Sequence, residues 1–170
     1  MKTRQQMIRT AKANLIWIAA LGAVLLIIST GLAETKGPVK PSKKDKCPVC
    51  GMFVYRYPDW IAEIIFKDGS AVFFDGAKDL VKYYFKLKEY SPGRNKRDIA
   101  AIYVSEYYDM KMIDARKAFF VIGSDVYGPM GHELIPLSSK ADARTFMIDH
   151  RGKRVLRFEE ITPEVIAKLD

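Results

Sequence analysis

The sequence predicts a small mixed α+β domain preceded by an N-terminal apolar helix, on three observations. The apparent order of elements after position 46 is hairpin, helix, strands, loop, helix, strand, helix, which fits neither an all-β nor a strictly alternating parallel arrangement. Lys67-Asp68-Gly69 between two apolar runs is a strong hairpin signal. Phe74-Asp75-Gly76-Ala77-Lys78-Asp79 is weakly echoed by Leu137-Ser138-Ser139-Lys140-Ala141-Asp142, which hints at two related halves.

The N-terminal segment is legible from charge alone. Lys2, Arg4, Arg9 and Lys12 form a basic stretch, and Asn14 to Ala33 then runs twenty residues without a charge. Twenty apolar residues in a helix match the hydrocarbon thickness of a bilayer. Gly31-Leu32-Ala33 also supplies the small residues that a signal peptidase requires. Residues 1–33 therefore read as a signal peptide or a membrane anchor. Either one exports the rest of the chain to the periplasm or another extracytoplasmic space, with residues 14–33 holding it in the inner membrane if the leader is kept.

That leader also corrects the charge balance. The chain has 28 Lys and Arg against 20 Asp and Glu, but four of the basic residues precede position 34. The remaining 24 against 20 leave only +4 over 137 residues, too little for a nucleic-acid footprint. Residues 34–46 carry Pro38, Pro41 and five lysines with no large side chain beyond Val39, the composition of a flexible linker.

The domain proper, residues 47–170, follows in order. Trp60 to Phe66 and Ser70 to Phe74 read as the strands of the hairpin. From Lys78 to Lys86, Leu80, Val81, Tyr84 and Phe85 share one face at helical spacing. Glu89 to Asp98 is a loop, Ile99 to Val104 a strand, and Glu106 to Ala118 carries no clear period. Ala118 to Ile122 is a buried strand stopped at Gly123. Gly128-Pro129-Met130-Gly131-His132-Glu133 holds too many breakers for a helix interior or a central strand. Leu134 to Leu137 suits an edge strand. A helix capped by Ser138 or Ser139 runs to His150, Val155 to Phe158 is a strand, and Pro163 opens a final short helix.

Chemistry concentrates in two loops. Cys47-Pro48-Val49-Cys50-Gly51-Met52 holds both cysteines of the chain and a methionine, three soft donors in six residues. The plain alternative is a half-buried cysteine pair without chemistry. In the second loop Met130 and His132 add a thioether and an imidazole, donors that suit Cu(I) and, in the case of Met, seldom serve Zn(II). Its plain alternative is Met130 as a packing plug and His132 as a surface residue. His150, at a helix end, reads as a capping partner of the last carbonyls. There is no Gly-x-Ser-x-Gly elbow, phosphate-cradling loop or His-Glu-x-x-His motif, so no enzyme class is indicated.

Read together, the two loops resemble the NosL family, exported copper-binding accessory proteins of nitrous oxide reductase. The resemblance rests on Cys50-Gly51-Met52, on Phe119 to Val126, on Met130-Gly131-His132-Glu133-Leu134-Ile135-Pro136, and on Arg154 to Ile161. It implies a fold of two ββα-type halves and delivery of Cu(I) to a copper-receiving enzyme or transport machinery. It also implies Cys50, Met52, Met130 and His132 as ligands, and Cys47 is a further thiol beside them. The expected behaviour is one Cu(I) per domain with far weaker Zn(II) binding. Many members are lipoproteins, and this chain lacks the lipid-bearing cysteine. Cys-Pro-Val-Cys-Gly-Met is also similar to the opening of YHS-type heavy-metal domains, although Val72 to Lys78 lacks the cysteine those domains place there. From a third class, Cys47 and Cys50 could serve an extracytoplasmic dithiol oxidoreductase.

Overall fold

The computed structural model describes residues 37–170. The leader assigned to residues 1–33 lies outside them, and no helix among the described residues is long and apolar enough to cross a membrane. Two antiparallel sheets and four α-helices build the domain.

In the first half, β1 (Ala62–Phe66) and β2 (Ala71–Phe74) form the expected hairpin. Its turn closes at Gly69, whose φ of +87° suits a residue without a Cβ. Helix α1 (Ala77–Phe85) follows, then the short α2 (Leu87–Tyr90). Strand β3 (Ile99–Ser105) pairs on the far side of β1, and β4 (Met112–Asp114) adds to its outer edge, giving the order β2-β1-β3-β4.

The second half repeats the scheme. Strand β5 (Phe119–Ile122) lies between β8 (Ile135–Leu137) and β9 (Arg154–Arg157), in the order β8-β5-β9. Helix α3 (Lys140–Asp149) connects β8 to β9 as α1 leads from β2 to β3. Between β5 and β8 stands a small hairpin of β6 (Tyr127–Gly128) and β7 (Gly131–His132), turning on Pro129 and Met130. A closing α4 (Pro163–Ala167) packs near α1. Hairpin, helix and third strand thus recur in the same order, so the α+β class and the paired halves both hold.

Alternation along β5 divides the core. Phe120 points into the larger cluster with Ile64, Phe74, Leu80 and Ile102, whereas its neighbour Val121 joins Ile135, Leu137, Ala143 and Phe146. Cys47 and Val54 belong to the larger cluster, so the cysteine loop is anchored in the core.

Residues 37–46, read from composition as a linker, make defined contacts with the domain. The Val39 N–H donates to the Glu63 carboxylate, 3.1 Å from each oxygen. Glu63 is a fully buried residue of β1, a partner that composition cannot reveal.

Candidate metal centre

A tight backbone knuckle presents the two cysteines. The Gly51 N–H donates to the Cys47 carbonyl at 2.8 Å, and the Cys47 N–H donates to the Met52 carbonyl at 2.9 Å. Gly51 has φ +79°, where a side chain would be strained. A bridge between Lys46 and Phe53 closes the loop base. Cys47 is 1% exposed, while Cys50 is half-buried at the outer end of the knuckle.

The helix that follows β2 supplies two carboxylates. Asp75 sits at the end of β2 and Asp79 in the first turn of α1, four positions apart and hence on one side of the turn. The Cys47 thiol donates to Asp79 Oδ2 at 3.3 Å, and the Cys50 thiol donates to Asp75 Oδ1 at 3.2 Å. Ligand atoms of Cys47, Cys50, Asp75 and Asp79 all lie within 4.8 Å of one another, the one such group among the described residues. Both aspartates are buried, and Asp75 Oδ2 has no hydrogen-bond partner.

The electrostatics keep both thiols protonated. Burial pushes the Cys50 thiol up to about 12, with the Asp75 and Asp79 carboxylates adding to the rise and backbone N–H groups opposing it. Burial raises Cys47 further still, again helped by the two aspartates. A redox nucleophile requires the opposite, a thiol lowered by a helix N-terminus or a cation. The cysteines here face carboxylates, which suits capture of a cation.

The second loop is fastened to the same helix end. Glu133, immediately after β7, is buried, and its Oε1 accepts the Lys78 N–H at 2.5 Å and the Leu134 N–H at 2.8 Å. Burial raises this carboxyl to about 8. Glycine makes the room: a Cβ at Gly76 would lie 2.3 Å from Glu133 Oε2, and one at Gly128 would lie 3.1 Å from its Cγ. The buried Lys78 ammonium donates to the Met130 carbonyl at 2.8 Å and the Leu169 carbonyl at 3.0 Å. Both loops are thereby tied to the first turn of α1.

Of the residues singled out in the sequence, Cys47 and Cys50 meet directly. Met130 is 44% exposed at the hairpin tip, and His132 is exposed with its ring 4.8 Å from that of Tyr127, outside the four-residue cluster. Met52 is half-buried and contributes its carbonyl to the knuckle. His150 acts as expected at the end of α3, stacked on Phe146 and 3.3 Å from Asp125. Sequence reasoning missed Asp75, Asp79, Lys78 and Glu133. Two aspartates spaced i, i+4 across a strand-to-helix junction were the available signal. Asp75 also occupies the turn where YHS-type domains would carry a cysteine.

Scaffold and donors define a small α+β protein of two related halves with a thiol–carboxylate centre at one helix end. The chain belongs to the NosL family, whose sequence model matches residues 38–166. It is 32% identical over 161 residues to the copper-binding lipoprotein NosL of Stutzerimonas stutzeri, an alignment covering 86% of this chain and 80% of that one. It is 26% identical over 167 residues to the copper-binding lipoprotein NosL of Achromobacter cycloclastes, covering 91% and 83%. The crystal structure of the copper chaperone NosL from Shewanella denitrificans superposes with a TM-score of 0.64 at 27% identity, covering 76% of this chain and 98% of that one.

Proposed function

We propose that this chain is an exported, non-enzymatic Cu(I) carrier that hands its ion to a partner copper enzyme such as nitrous oxide reductase. The observation that carries the reading is the knuckle itself, which holds two thiols side by side, one buried and one half-exposed. Cu(I) prefers such soft donors, and binding displaces the two thiol protons. Cys50, at the accessible end, is the point of capture and release, while Cys47 retains the ion from the core side. Met52, Met130 and His132 complete the donor set in this reading. The hairpin that carries the last two is held at the same helix end through Glu133 and Lys78. The copper-binding and chaperone roles named for the relatives support it. Those curated relatives are lipoproteins, and residues 14–33 serve as the anchor or export signal of this chain in the same reading.

Anaerobic Cu(I) titration against a competing chelator tests the proposal, with Zn(II) run in parallel. One tightly held Cu(I) per chain is expected, with zinc far weaker. Cys50→Ser should abolish tight binding and Cys47→Ser should weaken it. A chain that cannot draw Cu(I) from the chelator, or that holds Zn(II) as tightly, overturns the carrier reading.

A further inference from the structure

We infer that Cys47, Cys50, Asp75 and Asp79 also form a four-coordinate site for a divalent cation of intermediate softness, Zn(II) or Co(II), which Cu(I) displaces on loading. The inference shares its two thiols with the copper reading and assigns a role to two carboxylates which that reading leaves idle.

The argument begins with distances. Tetrahedral zinc binds sulfur at about 2.3 Å and carboxylate oxygen at about 2.1 Å, so the edges of its ligand tetrahedron are roughly 3.4 to 3.8 Å. The two thiol–carboxylate contacts are already 3.3 and 3.2 Å, and all four ligand atoms lie within 4.8 Å of one another. A modest side-chain adjustment would seat an ion. Each thiol proton now occupies a line between sulfur and oxygen that a cation would bridge.

Donor chemistry narrows the ion. Two sulfurs with two carboxylate oxygens suit zinc or cobalt, whereas Cu(I) has little use for the oxygens, and magnesium or calcium little use for the sulfurs. Burial supplies an independent observation. Asp75 is 1% exposed, and its Oδ2 is the one buried side-chain nitrogen or oxygen atom without a partner among the described residues. A buried carboxylate oxygen left without a partner is costly, and a bound cation removes that cost. No ammonium or guanidinium lies within 4 Å of Asp75 among the described residues, and Asp79 has only Lys82 at 3.9 Å. A divalent ion held here would pin the knuckle to α1. Cu(I), with its greater preference for thiolate, would then take the sulfurs and release the carboxylates.

The test uses the full chain, purified in detergent without metal and without oxygen, and titrated with Co(II). Expected are one equivalent of tetrahedral cobalt with visible d–d bands, thiolate-to-cobalt charge transfer, and affinity reduced by more than about tenfold in both Asp75→Asn and Asp79→Asn. X-ray absorption on the unmutated zinc-loaded chain avoids dependence on those variants folding, and should count two sulfurs and two oxygens. A weak octahedral cobalt spectrum, unchanged affinity in both variants, or a zinc shell of sulfur alone overturns the inference. A chain that binds Co(II) as described but takes up no Cu(I) overturns the carrier reading and leaves this one standing. The reverse result overturns this one alone.

Discussion

Cys50 and Met130 are the residues at which the copper reading is most exposed to experiment. With burial and two carboxylates raising the Cys50 thiol to about 12, its thiolate fraction at neutral pH is very small. Iodoacetamide should therefore alkylate the metal-free chain at pH 7 more slowly than a free thiol with a pKa near 8.5, and Cys47 more slowly than Cys50. Rapid labelling of either cysteine would favour the oxidoreductase alternative. Met130, exposed at the hairpin tip, has little packing to lose. Met130→Leu should lower Cu(I) affinity in a chelator competition while shifting the thermal midpoint by no more than a degree or two. The cysteines were legible because soft donors at close spacing announce themselves. Asp75 and Asp79 were not, since an aspartate ending a strand or opening a helix is ordinary turn and cap chemistry. Only the tertiary approach of the knuckle shows that both are buried against sulfur.

Comparison of the two central helices shows how related elements were put to different uses. In α3 the N-cap is Ser139, whose hydroxyl accepts the Asp142 N–H at 3.0 Å and donates to the Asp142 carboxylate at 2.6 Å. In α1 the N-cap is Gly76, the capping oxygen comes from Glu133 fifty-five positions away, and Asp79 meets a thiol in place of a local hydroxyl. Substitution at the two caps should differ accordingly. Ser139→Ala removes a local cap and should cost about 1 kcal/mol. Gly76→Ala drives a methyl into Glu133 and should cost roughly 1 to 3 kcal/mol, together with a loss of metal affinity absent from Ser139→Ala. Denaturant midpoints and metal titrations of the two variants check both statements. The long elements were legible because β1, β3, β5, α1 and α3 carry enough residues to show a period. Strand β4 has three residues and the β6–β7 hairpin two per strand, too few for any period to register.

At the scale of the molecule, the twofold scheme was faintly visible in the sequence as the echo between residues 74–79 and 137–142. Its proof is topological, in the matching orders β2-β1-β3 and β8-β5-β9. What remained hidden is the cross-bracing between the halves, in which β7 ends in a glutamate that caps the helix of the other half. That brace makes stability depend on pH. Glu133 keeps its proton up to about 8 in the fold, against 4.5 for an unperturbed glutamate. The stabilisation linked to this proton is complete below about 4.5 and is lost as pH rises through about 8. Glu63, raised by burial to about 7, acts in the same direction. The thermal midpoint should therefore fall between about pH 5 and pH 8, and Glu133→Gln should flatten that fall. A midpoint that rises over this range, or an unaltered slope in the variant, would contradict the assignment.

The buried ammonium of Lys78 carries one practical implication for handling the protein. Its acceptors include the Leu169 carbonyl, and Asp170 lies 3.5 Å from it and also pairs with Lys82. The last two residues are thus structural parts of the centre, and the C-terminus is a poor place for an affinity handle. A purification tag fused there, or clipping of the final dipeptide by a carboxypeptidase during storage, would strip partners from Lys78 and loosen its hold on the Met130 loop. Preparations that differ only in their C-terminal ends should then differ in apparent copper affinity, and intact-mass measurement beside each titration would expose the cause.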